Sequence, residues 1–514
     1  MLLKARFLKI EAEKPIVILN RDDAEDLGIR ALERVELRFR GKKAIAITNL
    51  AEKIIRKGEI GLYMEITKHL DVIPGDKISV TIANSPKSLE FIRKKLNGQT
   101  LQRNEIRSII EDTINHNLSD IELTAFVTSL YTYGMSMEEI AALSISMAET
   151  GKILKLKKKP VYDKHSIGGC PGDKTSILAV PIVAAAGLTI PKTSSRAITS
   201  PAGTADRFEC LAPVNLDLEE VERVVEKTNA CLVWGGSVDL APADDIFIKI
   251  EYPLSIDPFL LPSVMSKKKA VNAKYVVIDM PTGRETKVRT AEEFEILANK
   301  FIQLGRKLGM RVECVSTFAE QPIGFAVGPA LEAREALQTL KSGRGPSDLV
   351  DKATTLAGVL LEFAGAKNGK KAALDILKSG KAYKKLKEII EAQGGNPDIR
   401  NDDILVGRKI AEVKSNRSGH VLWISNKAVD IIAREAGAPK DKGAGVYFKK
   451  KLGDKVKKGE TLFVIYAEKY SKFKNAVNLA NKIDVMGIGQ KMRMKLEEFP
   501  GRKDEEERYF ILER

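Results

Sequence analysis

The residues from Asp163 to Ser176 read Asp-Lys-His-Ser-Ile-Gly-Gly-Cys-Pro-Gly-Asp-Lys-Thr-Ser. Three glycines, Gly168, Gly169 and Gly172, stand between a lysine–histidine pair and an apolar segment of helical length, Ile177 to Ala186. Glycine leaves no Cβ between a backbone N–H and a ligand. A loop of this kind running into a helix presents unpaired N–H groups and the positive end of the helix dipole to an anion. Lys164, Ser166, Thr175 and Ser176 add one ammonium and three hydroxyls. The chemistry these residue types support is the holding of phosphate. A Walker A order is absent, and Gly168-Gly169-Cys170-Pro171-Gly172 has the wrong spacing for a Rossmann fingerprint. Glycines before a helix also occur in plain tight turns, and a lone histidine such as His165 also occurs as a packing residue.

A second constellation runs from Thr193 to Asp206: Thr-Ser-Ser-Arg-Ala-Ile-Thr-Ser-Pro-Ala-Gly-Thr-Ala-Asp. It places six hydroxyl side chains around one arginine, Arg196. Hydroxyls and a guanidinium are directed donors for phosphate oxygens. The competing reading is a polar loop whose Ser and Thr side chains cap its own backbone.

Composition narrows the class. With 514 residues the chain has length for three or four domains. No stretch approaches the ~18 apolar residues of a membrane span, and the N-terminus has no apolar signal region. The four cysteines are scattered, which argues against a zinc site or a disulfide framework and for a reducing cytoplasm. No cofactor is expected. The net charge of +15 fits a lysine- and glutamate-rich thermophile surface and attraction of anionic small molecules. A basic nucleic-acid-binding protein is the alternative of another class. Its expected pattern, lysine clusters interleaved with aromatic residues, is missing.

The elements that must position these residues follow from periodicity. Residues 1–84 hold short alternating runs such as Val35-Glu36-Leu37-Arg38-Phe39, which predict a small β-barrel. Residues 85–159 read as an all-helical lobe, with Ser119 and Glu122 spaced as a capping box. Residues 160–408 alternate strand-like runs with helices, the pattern of an α/β domain on a mainly parallel sheet. Residues 409–514 read as a β-rich C-terminal module with α+β content, ending in a charged stretch, Arg502 to Arg514, that reads as a solvated helix or strand end. Ligands in open parallel sheets sit at the carboxyl ends of the strands.

Lys-His-Ser-x-Gly-Gly followed by Gly-Asp-Lys-Thr-Ser resembles the thymidine and pyrimidine-nucleoside phosphorylases. That resemblance makes Lys164, Ser166, Ser176, Ser195 and Thr204 the expected phosphate ligands. Those enzymes carry Tyr-x-Leu-Arg, whose arginine grips the pyrimidine. Here the string is Tyr252-Pro253-Leu254-Ser255-Ile256-Asp257. This departure, the hydroxyl run and the extra N-terminal domain match the archaeal AMP phosphorylase branch. The resemblance then implies a pentosyltransferase that converts AMP and inorganic phosphate to adenine and ribose 1,5-bisphosphate, with CMP or UMP as further substrates. It implies a homo-oligomer, at least a dimer, extended by the N-terminal module, with no nucleic-acid or membrane partner. The nucleotide ligands it implies are Gly169, Ser195, Arg196, Ala197, Ile198, Thr199, Ser200, Thr204, Ser263, Lys267 and Lys287. The alternative within enzymes is a thymidine or pyrimidine-nucleoside phosphorylase. Anthranilate phosphoribosyltransferase is disfavoured by the lack of its Lys-His-Gly-Asn element.

Phosphate is already a nucleophile, so the needs are alignment, charge neutralisation and a proton for the leaving base. Asp257 is the candidate acid, its pKa expected to be raised by an apolar wall of Phe259, Leu260 and Leu261. A turn aspartate before Pro258 is the plainer reading. His165 is next in line as the acid. Lys164 is expected in a solvated cleft.

Overall fold

The computed structural model describes residues 1–12, 14–197 and 200–490. The chain forms two compact units: Met1–Gly151 with Ala241–Ser266, and Lys152–Leu240 with the residues from Lys267 onward.

The first unit opens with a closed six-stranded barrel. Its strands are β1 (Leu2–Phe7), β2 (Ile16–Asn20), β3 (Arg34–Phe39), β4 (Lys42–Ala51), β5 (Glu59–Leu62) and β6 (Lys77–Ile82), in the order β1-β5-β2-β4-β3-β6. The β1–β5 and β2–β4 pairs are parallel and the others antiparallel. Alternation does the sorting: Leu3 and Ala5, Val35 and Leu37, Ile78 and Val80 point into one core.

Four helices follow, Ser88–Leu96, Arg103–Ile114, Asp120–Tyr133 and Met137–Glu149. The Ser119–Glu122 capping box forms as its spacing predicts, and Ser136 with Glu139 forms a second. Arg34 of the barrel pairs with Glu122, joining barrel and helices within this unit.

One expectation needs correction here. Residues 241–266 read as part of the α/β segment, yet they belong to the first unit. Ala243, Phe247 and Phe259 complete the helical core around Phe126, and the Phe247 and Phe259 rings stack at 4.3 Å. Periodicity identifies the apolar face of a helix but not the layer that face will cover.

The second unit is built on parallel strands β7 (Val161–Ser166), β8 (Ile190–Ser194), β9 (Ala230–Trp234), β10 (Ala273–Thr282) and β11 (Arg311–Phe318). They pair as β11-β10-β7 and β8-β9, and a parallel bridge, Val161 to Thr189, links the two groups. The helix Thr175–Ala185 is buried along nearly its whole length, as its unbroken apolar run predicts. Further on, Ala326–Val327, Gly445–Phe448, Thr461–Ala467 and Lys409–Lys414 form one sheet, and Lys455–Val456, Gly419–Ile424 and Met486–Gly489 form another. The helices Asn426–Glu435 and Tyr470–Ala480 share a core with them. The expectation for Arg502 to Arg514 lies outside the described residues. No described helix is long and apolar enough to cross a membrane.

Lys95 and Glu139 form a buried ion pair at 2.8 Å in the helical lobe. Glu139 also accepts hydrogen bonds from the backbone N–H groups of Leu101 and Ser136. Burial opposes the carboxylate, but these N–H groups and the Lys95 ammonium outweigh it and hold Glu139 below its ordinary value of 4.5. Its stabilisation is therefore present above pH 4.5 and lost as the pH falls through the lowered pKa. Glu139→Gln should cost about 3 kcal/mol and remove that acid-side dependence. Hydrogen exchange of the helix Met137–Glu149 against pH reads both effects.

Candidate active site

Strand β7 delivers Asp163, Lys164, His165 and Ser166 to the carboxyl end of the sheet, where the loop of three glycines begins. Lys164 was expected in a solvated cleft. Instead its side chain is almost wholly buried, with Nζ 3.7 Å from Asp279 Oδ2 and 3.5 Å from Ser176 Oγ. Asp279 lies on the neighbouring strand β10 and has no exposed surface. It also accepts from Thr317 Oγ1 at 2.7 Å and pairs with Lys352 Nζ at 3.0 Å. Lys352 reaches Asp173 of the loop at 3.4 Å. Burial works against the Lys352 ammonium, yet Asp173 and Asp279 outweigh it and hold it above its usual range. Beside this group, Lys268 Nζ binds Asp163 Oδ2 at 2.6 Å.

A buried charge without a partner would cost several kcal/mol, so these aspartates are what permit lysines here. The sequence reading missed Asp279, Lys352 and the Asp163–Lys268 pair. Lys352 is 179 residues from Asp173, and no local motif marks it. Asp279 did leave a signal: an acid ending the apolar run Val276-Val277-Ile278 needs a cation.

Burial, then Lys268, Lys192, Lys267 and Lys164, hold the His165 imidazole well below 6.5. It is neutral at physiological pH, so it lacks the imidazolium proton that a general acid would transfer. Its Nδ1 is buried with no hydrogen-bond partner among the described residues, and so are the hydroxyls of Thr175, Thr193 and Ser194. Buried polar groups ordinarily have partners, so each of these atoms is a candidate to meet a polar ligand. The sequence reading chose Ser195 and passed over Ser194. Ser195 is exposed and Ser194 half-buried.

The glycine loop meets a second predicted residue. Gly169 has φ +95°, and a Cβ there would lie 3.3 Å from the backbone nitrogen of Lys287 and 3.4 Å from Thr286 Cα. The structure thus brings Gly169 and Lys287 together. At Gly172, φ is +72° and a Cβ would come within 2.6 Å of the Ile323 carbonyl. Lys174 is buried beside Gly172, donating to the carbonyls of Ile323 and Ala326 and pairing with Glu335 at 2.5 Å.

In the hydroxyl-rich segment Arg196 is fully engaged. Its guanidinium bonds Glu209 at 2.6 and 2.9 Å, Asp206 at 3.2 Å and Asn215 at 3.1 Å, and lies over the Trp234 ring. Asp206 accepts from the N–H groups of Ala197 and Gly203, and Thr204 starts the short helix Thr204–Phe208. Ser200 Oγ donates to the Ala202 carbonyl. Ile198 and Thr199 lie outside the described residues. Asp257 and Ser263 lie in the first unit and Lys267 in the second. Asp257 is exposed, and Phe259, expected in an apolar wall beside it, is instead buried in the helical core with its ring stacked on Phe247.

Comparison with known proteins bears on this geometry. Residues 158–383 match the glycosyl transferase family a/b domain, and residues 89–151 match that family's helical bundle domain. Residues 420–485 match the pyrimidine nucleoside phosphorylase C-terminal domain. AMP phosphorylase of Thermofilum pendens is 52% identical over 472 residues, 92% of each chain. AMP phosphorylase of Thermococcus kodakarensis is 50% identical over 493 residues, 95% of this chain and 98% of that one. This chain belongs to the AMP phosphorylase family. A further family member, from Pyrococcus furiosus, is 49% identical over 94% of this chain and 97% of its own. Anthranilate phosphoribosyltransferase of Thermus thermophilus superposes with a TM-score of 0.51, covering 59% of this chain and 99% of that one. At 21% identity this likeness is one of fold.

Removing the Lys164 ammonium should weaken the use of inorganic phosphate. Because Lys164 is buried against Asp279, Lys164→Ala should also cost about 2 kcal/mol, less than a fully orphaned pair, since Lys352 and Thr317 still serve Asp279. Initial rates against phosphate concentration should show KM raised about tenfold or more, the loss of one charge-assisted bond. An unchanged phosphate KM would make the loop purely structural.

Proposed function

We propose that the chain catalyses the phosphorolysis of AMP by inorganic phosphate, releasing adenine and ribose 1,5-bisphosphate. The observation that carries this reading is the pair of donor-rich segments at the carboxyl ends of the bridged parallel strands β7 and β8. One anion site suits inorganic phosphate, and a second suits the 5′-phosphate of a nucleotide. Family membership across most of the chain supports the same reading.

The reaction is a displacement at the sugar C1′. A phosphate oxygen forms the new C1′–O bond as the C1′–N bond to adenine breaks, and adenine takes up a proton. Lys164, Ser166 and Ser176 are assigned to the attacking phosphate, together with Ser195 and Thr204. Holding the two reactants in line and neutralising their charges supplies most of the acceleration. Gly169, Lys287 and the segment from Ser195 to Thr204 are assigned to the nucleotide, and the resemblance assigns Ser263 and Lys267 to the base. Asp257 is assigned as the acid that protonates the leaving purine, on the resemblance of its surrounding sequence. The neutral His165 serves as a hydrogen-bonding group. CMP and UMP are further candidate substrates.

The test is a panel of nucleosides and 5′-nucleotides incubated with phosphate, read as free base. AMP should be cleaved on the order of hundreds-fold faster than adenosine, because two or more charge-assisted bonds to the 5′-phosphate are lost with the nucleoside. Equal turnover of AMP and thymidine would restore the nucleoside phosphorylase alternative. Asp257→Asn should lower kcat for AMP by about two powers of ten with little change in KM. Near-full activity of that variant would move the acid elsewhere.

A further inference from the structure

Two backbone N–H groups of the hydroxyl-rich segment are held by one carboxylate. Asp206 Oδ2 accepts from Ala197 N at 2.7 Å and from Gly203 N at 2.9 Å. Its other oxygen faces two cations, Arg196 Nη1 at 3.2 Å and Lys442 Nζ at 3.4 Å. Glu209, one turn further on, binds the same two cations, Arg196 at 2.6 Å and Lys442 at 2.7 Å. Two carboxylates and two cations thus form a closed square. The partners are well chosen for permanence. Hydrogen bonding from Arg196, with burial opposing and Lys442 adding, holds Glu209 down to about 2.

Lys442 comes from far along the chain. It lies 236 residues after Asp206, between the helix Asn426–Glu435 and the strand Gly445–Phe448. Hydrogen bonds to the backbone hold this stretch as well. The Lys442 carbonyl accepts from Ala330 N at 3.0 Å, and the next residue, Gly443, is tied to Gly407 and to Glu468.

This arrangement reassigns Arg196. Its guanidinium is surrounded by Asp206, Glu209, Asn215 and the Trp234 ring, so it anchors the segment. Without Lys442, Arg196 would face the two carboxylates alone, and the local charge would turn negative beside the segment assigned to the 5′-phosphate. A negative charge there opposes a phosphate dianion.

We infer that Lys442, acting through Asp206 and Glu209, is a positioning residue that shapes and charge-balances the hydroxyl-rich segment for the nucleotide 5′-phosphate. The inference rests on the AMP phosphorolysis reading. It gives the C-terminal segment a part in substrate recognition. Lys442 does not touch substrate; it sets the segment that does.

The test uses full-length wild type, Lys442→Ala and Lys442→Arg. Steady-state rates give KM for AMP and for inorganic phosphate separately, and thermal melts report folding. In Lys442→Ala, KM for AMP should rise about tenfold while KM for phosphate moves less than about twofold. Lys442→Arg, which keeps the charge, should restore most of the AMP affinity. A merely structural lysine would lower the melting temperature and move both KM values together, which would overturn the inference. An unchanged KM for AMP would overturn it as well, leaving the functional reading intact. A wild type that releases no adenine from AMP would overturn both.

Discussion

Asp163 and Asp279 make it possible to bury lysines at the carboxyl ends of parallel strands. Lys268 is held by the first, and Lys164 and Lys352 by the second. An ammonium taken out of water costs far more than a surface ion pair returns, so each needs an anionic partner in place before any ligand arrives. Asp279 is shared by two ammonium groups, and Asp173 of the loop meets Lys352 as well, so the three lysines are balanced by three aspartates. Donors held in place this way, beside the glycine loop, leave little reorganisation for the moment a ligand binds. The +15 net charge of the chain adds long-range attraction, which salt would screen.

What was legible in the sequence was local. The capping box at Ser119, the buried helix after Thr175, and the Gly169 turn follow from residue type and spacing alone. So does the barrel, whose inward residues alternate. What was not legible was set by distance along the chain. Lys352 meets Asp173, Arg207 meets Glu332, and Lys442 meets Asp206 across separations no periodicity reports. Only packing reveals that Phe247, on the helix Pro242–Leu254, faces Phe126 and Phe259.

Two site residues show how type can be right and role differ. An arginine among hydroxyls reads as a phosphate donor, yet two carboxylates already hold Arg196, because Asp206 and Glu209 return to it on the next helical turn. His165 reads as a candidate acid, yet burial among four lysines keeps the imidazole neutral. In both cases the decisive neighbours are charges contributed from outside the motif. A motif names the groups available to a site, whereas the field they sit in depends on the fold.

The most direct measurement is a crystal structure of the protein with inorganic phosphate. It should show one tetrahedral anion within hydrogen-bond distance of Lys164 Nζ, the hydroxyls of Ser166 and Ser176, and backbone N–H groups at the start of the helix Thr175–Ala185. Asp279 should still hold Lys164 and Lys352 from behind. A phosphate seated elsewhere, with Lys164 turned only toward Asp279, would contradict the assignment of this strand end as the phosphate site.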